Sequence, residues 1–441
     1  MGTLAGTASF ILGARPETSA AAAAPPRLRI TNVRVFDGIS DVLRKQDVIV
    51  HGDKITAVGA TDAAEASPMQ VLDGGGRVLI PGLIDTHMHL TINASPAEMM
   101  NFDVSYLGIR GAVAAKQTLL RGFTSIRDAG GPTVALKSLV DQGVVPGPRI
   151  YPSAAMISQT SGHGDFRFNT ERNPRFGGGV PGSARSGLTV IADGVDDMLA
   201  AVREQLKQGA SQIKLMAGGG ASSHYDPLDT VQFTPDELRA AVAAAENWNT
   251  YVLAHAYNSR SIRQCLQAGV KSIEHGHLMD EDTMRMLVDR DAFLSTQMLT
   301  FLSEAADRGE ANLAKTREIR AGMDRMLGFA RKHGAKITFS TDLMDSLERQ
   351  RRQSEEFSIR KEWFSSPDIL RQATSVAADL LALSGGRDPY PGKLGVVTAG
   401  AYADLLIVDG NPLEDASVLA DPSANLKLIM KGGSIYKDEL S

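Results

Sequence analysis

Residues 79–90 read Leu-Ile-Pro-Gly-Leu-Ile-Asp-Thr-His-Met-His-Leu, an apolar run of β character that ends by setting His87 and His89 two positions apart. Side chains at i and i+2 of a strand project to the same side, so both imidazoles can reach one point at the strand's C-terminal end. Imidazole is a good zinc ligand, but two histidines do not close a tetrahedral site. Further ligands must come from later in the chain. Further along, residues able to do chemistry stand at Lys214 in Gln-Ile-Lys-Leu-Met-Ala, His255 in Val-Leu-Ala-His-Ala, His275 in Ser-Ile-Glu-His-Gly and Asp342 after Thr-Phe-Ser-Thr. Each stands at or just beyond the end of a strand-like run.

Those runs define the elements that must position the ligands. After the opening strand they fall at 124–128, 149–157, 212–217, 251–256, 272–275, 292–298 and 336–341, which with the opening strand makes eight. Helical patterns separate them. Thr234-Pro235-Asp236-Glu237 carries a capping Thr, a first-turn Pro and Glu at N3, and Ser366-Pro367-Asp368 opens the last helix in the same way. Eight alternating units predict an α/β fold of the (β/α)₈ TIM-like barrel type, whose chemistry sits at the C-terminal strand ends. Residues 28–80 and 395–441 are both β-like, with short strands joined by Gly and Asp turns, and are expected to pair into a small β-sandwich domain built from both chain ends. The barrel then occupies 81–394, and 1–27 forms a disordered tail or signal remnant.

The bulk properties fit this division. A chain of 441 residues suits one barrel plus a smaller domain. The formal net charge of −5 offers no basic excess to displace phosphate counterions, which argues against nucleic-acid and anionic-membrane partners. No apolar run is long enough to span a bilayer. Cys265 has no second cysteine to pair with and reads as buried filler in a helix. Near the N-terminus, Ala20 to Ala24 followed by Pro25-Pro26 match the tail of a secretory signal, yet no basic segment precedes the apolar run 8–14. For a bacterial-type soluble protein, exported and cytoplasmic locations both stay open. Lys437-Asp438-Glu439-Leu440 is followed by Ser441, so it is not a terminal retention signal.

Taken together, Pro-Gly-Leu-Ile-Asp-Thr-His-Met-His, Ile-Lys-Leu-Met-Ala-Gly-Gly-Gly, Ala-His-Ala, Ser-Ile-Glu-His-Gly, Ser-Thr-Asp and Ala-Asp-Leu-Leu-Ile-Val-Asp-Gly-Asn-Pro-Leu resemble the amidohydrolase superfamily. The likeness runs from about Leu28 to the C-terminus. It is nearest to the binuclear metal-dependent carboxypeptidases and prolidase-like enzymes, a group that includes ochratoxin-hydrolysing amidohydrolases. The resemblance implies two zinc ions per chain. His87, His89 and Asp342 would bind one, His255 and His275 the other, and Lys214 would bridge them as a carbamate. A lysine buried in an apolar strand loses its proton more easily, and its neutral amine can then take up carbon dioxide. Asp342 would be catalytic, moving the proton of the attacking water to the leaving amine.

Other residues ring the same mouth. His163 in Ser-Gly-His-Gly-Asp ends the third strand run and reads as a catalytic or substrate-binding contact, while His224 and Tyr225 beyond Gly218-Gly219-Gly220 read as substrate-binding. No Gly-Lys-Ser/Thr follows that glycine run, so it is room for substrate rather than a phosphate cradle. His277 suits a supporting place beside His275, and His51 and His333 are ordinary residues. Segment 160–189, with Arg167, Arg172, Arg175 and Arg185, suits a lid or an oligomer contact and points to a homo-oligomer. The expected reaction is hydrolysis of amide bonds in N-acyl amino acids or peptides beside a free C-terminal carboxylate. Ochratoxin A, giving ochratoxin alpha and phenylalanine, is a candidate substrate. The alternatives are a phosphotriesterase or lactonase built on the same metals and, from another class, a metal-free dihydropyrimidinase-like interaction scaffold.

Overall fold

The computed structural model describes residues 27–59, 69–223, 225–302 and 309–440. The expected tail 1–27 therefore lies outside the described residues except for Arg27, which already begins a strand.

Short strands from both chain ends share one sheet, while another is built from N-terminal strands alone. One sheet orders Lys54–Gly59, Asp47–His51, Arg27–Thr31 and Gln70–Asp73. In Arg27–Thr31 only Leu28 and Ile30 are buried, the alternation of a strand with one covered face. A second sheet orders Ser434–Asp438, Leu426–Lys431, Leu405–Val408, Val78–Pro81, Arg34–Val35 and Arg44–Lys45, so the C-terminal strands meet the N-terminal ones. The two sheets share an apolar cluster that joins Leu28, Ile30, Val48 and Val50 to Leu79, Leu405, Ile407 and Met430.

The remaining strands are parallel, and helices separate most of them. Leu83–Met88, Phe123–Asp128 and Arg149–Pro152 form one sheet. Thr189–Ile191, Met156–Ser158, Ile213–Met216, Val252–Asn258, Ser272–Leu278, Phe293–Ser295 and Lys336–Thr338 form another, in that order. Strands covered on both faces read as continuous apolar runs, and every residue of Ile213–Met216 is buried. Backbone hydrogen bonds connect the two parallel sheets at both sides: Thr86 N–H donates to Phe339 O at 2.9 Å and Ser211 N–H to Pro152 O at 2.8 Å.

Two readings need correction. The run 149–157 is two strands: Arg149–Pro152 pairs with Phe123–Asp128, and Met156–Ser158 pairs with Thr189–Ile191 and Ile213–Met216. The chain changes partner between them, where Ala154 takes a left-handed φ of 56°. The second concerns capping. Thr234 does cap Pro235–Glu246 through a full capping box, but the later helix Ser366–Gln372 is capped by Ser365, one position earlier than read, and Ser375–Ala382 and Pro422–Asn425 follow it.

Candidate metal centre

The ligand strand Leu83–Met88 delivers His87 and His89 side by side, both buried, with ring centroids 5.2 Å apart. Asp342 lies beyond the end of Lys336–Thr338, and its N–H donates to His87 O at 2.9 Å. That bond and a left-handed φ of 50°, uncommon for a non-glycine residue, aim its carboxylate at the two histidines. Asp342 Oδ1 lies 3.5 Å from Nε2 of His87 and 3.4 Å from Nε2 of His89. It is buried and makes no hydrogen bond. Four ligands at about 2.1 Å around a tetrahedral ion stand about 3.4 Å apart. This spacing and the orphaned oxygen fit a metal held by His87, His89 and Asp342.

The other three expected ligands converge on the same place. Lys214 is buried in Ile213–Met216, with Nζ 3.4 Å from His87 Nε2. Among the described residues it has no ion pair with a carboxylate. Burial, opposed by Glu274 and Asp342 and aided by Arg127, pushes its amine down to about 8. The His275 ring lies 5.1 Å from that of His87 and 4.5 Å from that of His255. Burial pushes His275 down to about 3 and holds His87 and His255 well below the usual imidazole range, so all three are in the neutral form that metals require. The Asp342 carboxyl is held well below its usual range despite its burial, with three imidazoles packed around it.

Each imidazole is held from behind, the arrangement that fixes which nitrogen faces a metal. His87 Nδ1–H donates to Glu274 Oε2 at 2.7 Å, and Nδ1 of His89 lies 2.8 Å from Gly130 O. His275 Nδ1 lies 2.8 Å from Gln297 Oε1, whereas His255 uses Nε2, 3.2 Å from Gly219 O. Glu274 is in turn gripped by the Arg127 guanidinium at 2.7 and 2.8 Å and by the Ser272 hydroxyl at 2.6 Å.

The sequence reading missed Arg127, Glu274 and Gln297. A charged residue inside an apolar strand was the available signal for the first two. Strict alternation hid Glu274, since neighbours on a strand point to opposite faces; a φ of 74° at His275 breaks the alternation, and both residues reach His87.

His163 is buried and stacks on His255, centroid to centroid 4.3 Å. Its Nδ1 lies 2.9 Å from Ser223 Oγ and 3.3 Å from Asp226 Oδ2. Tyr225 is 51% exposed in the same loop, and His224 lies outside the described residues. His277 is buried, with Nε2 2.8 Å from Gln297 O, beside the Gln297 that holds His275. His333 ends the helix Gly309–His333 and bonds Glu281 at 2.8 Å. The arginines of 160–189 are largely satisfied within the chain: Arg167 pairs with Asp165, Arg175 with Asp197, and Arg185 donates to Val180 O. That leaves less of the segment free to grip a carboxylate than its composition implies.

The family model for the amidohydrolases matches residues 78–436, and the chain belongs to the amidohydrolase family. Ochratoxinase from Aspergillus niger is 30% identical over 427 residues, covering 91% of this chain and 85% of the relative. Among solved structures, a prolidase in complex with N-methylphosphonate-L-proline aligns with a TM-score of 0.86 at 35% identity, over 93% of this chain and 100% of the other. A Xaa-Pro dipeptidase with methionine in its active site aligns at 0.81 and 26%, over 93% and 100%. The chain is thus a hydrolase of the prolidase- and ochratoxinase-like group, and the scaffold alternative is set aside.

Proposed function

We propose that the protein is a binuclear zinc amidohydrolase that cleaves the amide bond of N-acyl amino acids or dipeptides beside a free C-terminal carboxylate, with ochratoxin A among its substrates. The observation that carries this reading is the orphaned Asp342 Oδ1 between His87 and His89, next to a buried Lys214 that pairs with no carboxylate among the described residues. His87, His89 and Asp342 would hold one ion and His255 and His275 the other, with Lys214 as a carbamate between them. When bound, such a pair supplies Lewis acidity and lowers the pKa of water toward neutrality. Asp342 takes the proton of the attacking water and passes it to the leaving amine, which balances the hydrolysis. His163 meets the scissile carbonyl, and Tyr225 and His224 act on the substrate carboxylate. The same reading joins the two parallel sheets into one (β/α)₈ barrel over 81–394 and the end sheets into a β-sandwich of 28–80 and 395–441; the hydrogen bonds at Thr86 and Ser211 support it.

The homo-oligomer expected from segment 160–189 is kept in this reading, and Phe168 and Phe176 of that segment are exposed. Among the described residues no helix is long and apolar enough to cross a membrane.

The test compares an N-acyl phenylalanine with its methyl ester. The ester is expected to lose about tenfold or more in kcat/KM, the loss of one ~1.4 kcal/mol charge-assisted contact. Equal turnover of acid and ester, unchanged in Tyr225→Phe, rejects the carboxylate-directed reading while leaving the family assignment intact.

A further inference from the structure

His163 sits in a socket made by loop 218–227. Its backbone N–H donates to Gln232 Oε1 at 2.8 Å, and a Cβ at position 220 would collide with its ring, so only glycine fits there. Asp226, buried, accepts from Gly220 N–H at 2.7 Å, from Gln232 Nε2 at 3.3 Å and from the Ser223 hydroxyl. A carboxylate already serving as acceptor to these donors stays an acceptor for the imidazole as well. Nδ1 of His163 therefore carries the proton. Nε2 makes no hydrogen bond among the described residues and is the nitrogen offered outward.

The loop itself is fastened from outside. Lys315, on the helix Gly309–His333, places Nζ 3.0 Å from Gly220 O, 2.8 Å from Ser223 O and 2.9 Å from Asp226 O. An ammonium has three donors, and all three are spent on one loop. Among the described residues it pairs with no carboxylate. One turn earlier, Asn312 Nδ2 donates to Ser222 O at 3.3 Å. The residues whose carbonyls Lys315 holds are those that surround the imidazole: Gly220 packs against it, and Ser223 and Asp226 bond its Nδ1.

We propose that Asp226 and Lys315 are positioning residues for His163. Asp226 fixes the imidazole in its Nδ1–H tautomer with Nε2 toward the substrate, and Lys315 latches the loop that carries Asp226. This rests on the reading above, in which His163 meets the substrate.

The experiment uses full-length, metal-loaded protein labelled with ¹⁵N at histidine, with His163→Gln to assign the signal. Wild type is expected to show His163 as the Nδ1–H tautomer, and Lys315→Met and Asp226→Asn to show a tautomer mixture. Both variants should keep the wild-type metal content. Their kcat on an N-acyl amino acid should fall by about tenfold or more while KM stays within about threefold, and Lys315→Arg should recover part of the rate. A wild-type tautomer and kcat in both Lys315→Met and Asp226→Asn overturn the proposal. Should Lys315→Met fail to fold, an unchanged tautomer in Asp226→Asn overturns it alone. The spectrum needs no substrate, so a wild type inert toward N-acyl amino acids would reject the substrate reading and leave the tautomer to decide this one.

Discussion

Arg127 and Glu274 show what a single pair can contribute to a candidate metal centre whose ions it would not touch. Both side chains are fully buried, and Nη2 of the guanidinium donates to both oxygens of the carboxylate. Removing one partner from such a pair strands a charge in a low-dielectric interior, a loss of about 3–5 kcal/mol. Arg127→Met is therefore expected to lower the denaturant midpoint strongly, and adding Glu274→Leu should recover part of the loss. A double variant no more stable than Arg127→Met would show that stranded charge is not the cause. The residues proposed as ligands could be picked out in the sequence because metals demand few residue types, and strand ends expose them. Their supports were not: Gly130 O and Gly219 O act through backbone atoms that any residue carries.

The elements were legible to the extent that their signals are local. Thr234 and Glu237 announce a helix start within four residues, and the structure forms the reciprocal bonds. Where the chain breaks at 153–155, the cause is a change of strand partner, which no local pattern encodes. Glu237 has a second task, since its Oε1 accepts Gly194 N–H at 2.6 Å, the residue capping Val195–Gln208. Loss of a capping side chain costs roughly 0.5–2 kcal/mol, so Thr234→Ala should fall near 1 and Glu237→Ala toward or above the upper end. Denaturant unfolding of the two variants would check the order, and equal losses would mean that the link to Gly194 contributes nothing.

Across the whole molecule, the proposed centre would tie stability to metal through its buried histidines, lysine and aspartate. A ligand that binds only the folded state adds RT ln(1 + [L]/Kd), about 4 kcal/mol at a thousandfold excess over Kd. Dialysis against a chelator should lower the thermal midpoint by several degrees, and zinc should restore it; an unchanged midpoint in protein shown to have lost its metal would count against a structural share for the site. The strand that bears His87 and His89 also has a history. It continues directly from Val78–Pro81, whose pairing partner is Leu405–Val408, Leu405 lying opposite Pro81. During synthesis that partner is made only after all six proposed ligands, and contacts so distant in sequence form slowly. The proposed site is then completed only once Leu405–Val408 has been made, so a nascent chain stalled before Leu405 should bind no zinc with native affinity.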